Sequence, residues 1–95
     1  MQHFVYILYS KNLDKFYIGE TSNIENRLTQ HHFKVYKNAF TSAASDWEIF
    51  HDINCVSKGQ ALKIEAHIKR MKSKKFIRNL KEYHAITEKL KLKYT

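Results

Sequence analysis

The chain has 95 residues, 17 Lys and Arg against 9 Asp and Glu, and a formal net charge of +8. That length fits one domain, residues 1–95, and the 43% apolar share excludes a disordered chain or a simple basic tail. No apolar run nears the roughly 18–20 residues of a membrane span, residues 1–9 do not read as a signal peptide, and the lone Cys55 excludes an intrachain bridge or zinc knuckle.

Residues 4–9 form an unbroken β-branched and aromatic run, which predicts a strand buried on both faces. A turn-rich stretch over 10–15 and a second short strand over 16–19 complete an antiparallel hairpin with a longer loop. Ser22 or Asn23 can cap a helix over 24–32, on which Ile24, Leu28 and His31 share one side. Residues 33–46 lack periodicity and read as a long surface connection. Alternation over 47–53 predicts a third strand, and Ser57 opens a helix to Met71. Phe76, Ile77 and Leu80 mark another short helix, and Tyr83, Ile86, Leu90 and Tyr94 carry a helical stripe onward as an extension over 82–95. That stripe either covers the core or forms a dimer seam, and a monomer is the expectation. The order ββαβααα predicts an α/β (α+β) fold: a small, three-stranded, mainly antiparallel sheet flanked by helices.

Charge is unevenly spread. Residues 1–57 hold five Lys and Arg and six Asp and Glu, a net of −1, while residues 58–95 hold twelve and three, a net of +9. The basic residues Lys69, Arg70, Lys72, Lys74, Lys75 and Arg78 concentrate this excess. Such a block attracts polyanions through phosphate contacts that carry no sequence information. A plain solvated basic face is the alternative. Membrane-surface binding is disfavoured, since no large apolar face is left over to insert.

Three features depart from a plain core. Taking Ala61 as zero and about 100° per residue, Glu65 falls at about 40°, within an arc drawn by Leu62, Ile64, Ile68 and Met71. A carboxylate there meets a basic partner, points into a cleft or binds a cation. Arg27 and His31 are neighbours at i,i+4, where two cationic groups make sense around a shared anion. The bland reading is a surface Arg beside a half-buried His. Tyr6 and Tyr17 sit side by side if their strands pair, and paired phenols can either cap the core or move protons. The six histidines show no zinc-ligand spacing, and Cys55 reads as a small buried residue rather than a nucleophile.

These residues together resemble the GIY-YIG nuclease family, in particular its small stand-alone members. Val5-Tyr6-Ile7 stands at the first motif, with Val in place of the usual Gly, and Tyr17-Ile18-Gly19 matches the second. Arg27 and His31 match the Arg-x-x-x-His element, Glu65 the acidic residue on the later helix, and Asn79 the Asn near the end. The resemblance spans about residues 3–80. It implies a DNA endonuclease in which one Mg²⁺ or Mn²⁺ is held by Glu65 and Tyr6 or Tyr17 is the general base. It further implies that Arg27 steadies the phosphate, His31 assists a tyrosine, and Asn79 supports the site. Gly19 would permit a close approach at the strand end. Glu20 follows the second motif, whereas many relatives carry a lysine within the next few positions, and a carboxylate there opposes phosphate. The competing reading is a non-catalytic nucleic-acid-binding or protein-interaction domain on the same scaffold.

Overall fold

The computed structural model describes residues 2–26 and 46–95. Three strands, β1 (His3–Ser10), β2 (Lys15–Thr21) and β3 (Glu48–Cys55), form one antiparallel sheet in the order β2-β1-β3. Three helices follow: α1 (Lys58–Met71), α2 (Lys74–Glu82) and α3 (His84–Lys93). This is the expected mixed α/β architecture. Among the described residues no helix is long and apolar enough to cross a membrane.

The central position of β1 explains its continuous apolar run. Val5 and Ile7 pack toward the helices with Ile53, Ala61, Ile64, Ile68, Leu80 and Leu90. Tyr6 and Leu8 point the other way and pack on Trp47, with Tyr17, Ile24 and Ile49 beside them. Both faces are therefore covered, as a strand without polar alternation requires.

The helix starts are local chemistry. Ser57 caps α1 by accepting from the Gln60 amide, and Ser73 caps α2 by accepting from the Phe76 amide. Between them Lys72 closes α1 in the left-handed region at φ 48°. Asn23 accepts from the Asn26 amide at 3.0 Å, so it is the cap of the helical turn opened by residues 24–26. The rest of that expected helix, with Leu28 and His31, and the connection over 33–45 lie outside the described residues.

Two findings go beyond the sequence pattern. Pairing of β1 with β3 slips between Ile7 and Leu8, so that Ile7 faces His51 while Leu8 faces Ile49. The extra residue, Phe50, joins the helix-side core and meets Phe16 edge-on at 5.0 Å between ring centroids. The C-terminal stripe covers the core: Leu90 and Thr87 are buried, and buried Gln60 donates to the Lys91 carbonyl while accepting from the Val56 amide. Tyr83 is the exception in that stripe. It is 55% exposed because it sits at the break between α2 and α3.

Candidate active site

Register builds the first half of the site. Tyr6 pairs with Gly19 and Leu8 with Tyr17, which puts all four residues on one face of the sheet. The tyrosine rings lie 6.2 Å apart between centroids and tilt by 40°. Tyr6 is 1% exposed and Tyr17 half-buried, over a floor of fully buried Leu8 and Trp47. The close approach expected at Gly19 is made by the protein itself. A Cβ placed there would lie 2.5 Å from the Tyr6 hydroxyl oxygen and 2.6 Å from its ring. Any side chain at position 19 displaces the Tyr6 phenol, and since that ring is buried it has nowhere to swing.

Glu65 belongs to α1, which packs on the opposite face through Ala61, Ile64 and Ile68. Its place in the middle of an apolar arc is corrected by the structure. Leu62 is 43% and Met71 46% exposed, so the buried arc runs from Gln60 through Ala61 and Glu65 lies on its flank. There its side chain keeps 16% exposure and pairs with the exposed Lys69 ammonium at 3.2 Å. The same flank, with Lys69 and Lys72, meets Lys15, Phe16 and Ile18 of β2. The edge strand β2 thus carries Tyr17 on one face and borders the flank of Glu65 on the other.

Glu20 does not oppose the tyrosine face. It is the cross-strand partner of Val5, hence on the helix side, and its carboxylate is bonded to the His3 ring. His3 was not singled out from sequence; alternation puts it with Val5, and the pairing of Val5 with Glu20 brings the carboxylate to the same face.

Asn79 lies on α2, half-buried, with its carbonyl accepting from the Tyr83 amide at 2.8 Å. Arg27 and His31 fall outside the described residues. The basic group is exposed, but several members are already engaged. Lys74 donates to the Asp14 carbonyl at 2.7 Å and pairs with its carboxylate at 3.3 Å. Arg70 donates to the Tyr94 hydroxyl at 3.4 Å, and Arg78 lies over the Phe16 ring at 5.8 Å. Asp14, held by Tyr9 and Lys74, has its carboxyl pushed below the usual range, first by the Tyr9 hydroxyl bond. Cys55 is buried at the end of β3, and burial pushes its thiol up, which removes it as a nucleophile.

Among the described residues no three His, Cys, Asp or Glu side chains gather as a metal cage. Glu65 nonetheless suits a hard divalent ion that keeps most of its waters and takes only one or two carboxylates. Its carboxylate is partly accessible and already accepts a cationic partner in Lys69.

A family model described as the GIY-YIG catalytic domain matches residues 2–84. A similar solved structure is the solution structure of a UPF0213 protein from Bacillus halodurans. It is 26% identical, with a TM-score of 0.52, over 86% of this chain and 84% of that one. Among curated proteins none matches.

Proposed function

The chain belongs to the GIY-YIG catalytic domain family, a nuclease-type family, and from that premise we propose that it is a metal-dependent endonuclease hydrolysing DNA phosphodiesters. The observation that carries this reading is the Tyr6–Tyr17 pair, held on one sheet face and locked by the bare Gly19. A merely structural phenol needs only one hydrogen bond at the end of an apolar body. It does not need a glycine reserved for it across the strand.

Nucleases of this family use divalent metal ions. Glu65 would hold Mg²⁺ or Mn²⁺, which supplies Lewis-acid polarisation of the phosphate and favours ionised oxygens nearby. An unperturbed phenol titrates near about 10 and is a weak base at neutral pH, so a tyrosine acting on water needs positive charge close by. Arg27 provides such charge and steadies the pentavalent phosphate, His31 assists the tyrosine's proton, and Asn79 supports the site. Of the two phenols, half-buried Tyr17 reaches water and substrate, and Tyr6 behind it sets its position. The basic residues from Lys69 to Arg78 hold the DNA backbone with little sequence preference.

The test is cleavage of supercoiled, linear and branched DNA with Mg²⁺ or Mn²⁺, comparing the native protein with Glu65→Ala. The native protein cuts and the variant does not, while both melt cooperatively at similar temperature. If neither cuts yet both bind DNA in a salt-sensitive way, the chain is a binding module on a nuclease scaffold. If Glu65→Ala lowers the melting temperature sharply in metal-free buffer, Glu65 is there for its ion pair with Lys69.

A further inference from the structure

Helix α3 begins where the match to the family model over residues 2–84 ends, so the family relationship assigns it no role. Its C-terminal end meets that of α1 around one phenol. The Tyr94 hydroxyl accepts from the Arg70 guanidinium at 3.4 Å and lies 2.9 Å from Nδ1 of His67, to which it can give its own proton. The Lys93 ammonium stands over the same ring, 5.5 Å from its centroid. Two helices thus each deliver a cation to one tyrosine.

No carboxylate comes with them. Among the described residues Glu65 pairs with Lys69, Asp14 with Lys74 and Glu88 with His84, and neither Arg70 nor Lys93 has an acidic partner. The charged groups acting on the His67 ring are Lys93 and Arg70, both positive. Docking of α3 explains the bond between His67 and Tyr94, and a cation in the last turn suits each helix dipole. Neither explains why both cations converge, since like charges brought to one ring repel. Arg70 makes one long bond, and the Lys93 ammonium meets a ring rather than an acceptor, so both keep N–H donors to give. A phosphate, with several charged oxygens, takes up both.

The setting points to a phosphate that belongs to a polymer. Arg70 and Lys93 are exposed, as are Lys63, seven residues before Arg70 on α1, and Lys89, four before Lys93 on α3. Those spacings amount to about 10 Å and about 6 Å along a helix, a row of cations rather than an enclosed pocket. Such a row suits the successive phosphates of a nucleic acid. A membrane surface would need an apolar face beside the lysines, and Leu92 is the large apolar side chain that α3 exposes.

We propose that Arg70 and Lys93, positioned by Tyr94 and His67, together hold one backbone phosphate of bound DNA. This rests on the nuclease reading and sets a length for its substrate. Glu65 and His67 lie on opposite flanks of α1, about 10–12 Å apart across a helix with its side chains. A strand advancing about 3.4 Å per nucleotide therefore extends about three nucleotides from the phosphate at Glu65.

The experiment follows binding of a labelled blunt duplex by fluorescence anisotropy, in metal-free buffer over a range of salt. It compares the native protein with Arg70→Gln, Lys93→Gln and the double variant. Each single substitution lowers the slope of log affinity against log salt by about 0.9, the share of one phosphate. The double variant loses the same about 0.9, because both cations serve one phosphate, and no variant melts below the native protein. An unchanged slope, or a loss of about 1.8 in the double variant, marks independent surface charges and overturns the proposal. Inorganic phosphate, polyglutamate and phosphatidylserine vesicles are titrated alongside. Loss of binding to any of these in the double variant, as large as the loss for the duplex, gives the site to another partner and overturns it too. Because binding is read rather than cleavage, the two claims separate. Cutting with unchanged slopes removes this site alone, and the shared slope loss without cutting removes the nuclease alone.

Discussion

The two faces of the sheet are built on different principles. The helix side is a broad aliphatic core in which strands and three helices share Val5, Ile7, Ile53, Ala61, Ile64, Ile68, Leu80 and Leu90. The opposite side has a small buried cluster of Tyr6, Leu8 and Trp47, with Tyr17 and Ile24 packed on it. The first face can absorb a substitution by repacking among many neighbours. On the second, the rings sit in a small cluster, and Gly19 lies close against Tyr6. Stability is concentrated on one face and positional accuracy on the other.

Truncation on each face tests that contrast most severely. Trp47→Ala should cost about 3–5 kcal/mol and also abolish cleavage, because it removes the floor beneath the tyrosines. Leu90→Ala should cost about 2–5 kcal/mol yet leave the activity of the folded fraction unchanged. Urea unfolding together with activity per folded molecule reads both, and equal activity losses would erase the distinction.

Gly19→Ala probes the same difference on a finer scale. One methyl group at this position should cost about 1–3 kcal/mol through overpacking. Cleavage should fall by about 100-fold, the scale of a 1 Å misplacement of a reacting group. Normal cutting by the Gly19→Ala variant would show that the Tyr6 position is not used.

The smallest effect concerns acid. His51 and His67, both on the helix side, are held below the ordinary histidine value, each chiefly by burial. Lys93 and Arg70 add to this for His67, and Lys81 and His84 for His51. The folded state therefore favours neutral rings. Their contribution is fully present above the unfolded value near about 6.5 and is lost as pH falls through the lower folded values. Asp14 and Asp46, both lowered, lose their contribution only as pH falls through the ordinary carboxylate range toward their lower folded values. Melting temperature should decline between about pH 7.5 and about pH 5, and a flat profile there would show that neither ring stays neutral on folding.

Much of this was legible in the residue order. An unbroken run at 4–9 specifies a central strand, because each successive side chain must find an apolar neighbour on alternate faces. Ser57 specifies a helix start, since capping involves groups only three residues apart, while the equivalent cap at Ser73 came only from the structure. That Tyr6 and Tyr17 share a face follows from a hairpin, and its register makes them diagonal neighbours, with Gly19 opposite Tyr6 and Leu8 opposite Tyr17. Glu65 was recognisable as an acid near apolar positions, but its location on the flank rather than in the middle was not. That depends on whether Leu62 is covered, and among the described residues none covers it fully. The bulge at Phe50 and the capture of Glu20 by His3 were likewise decided in three dimensions. Local periodicity and capping chemistry reach only a few residues along the chain, so residue order determined the elements and their succession. Which flank of α1 borders β2, and which charges converge there, was set by the packing of segments roughly fifty residues apart.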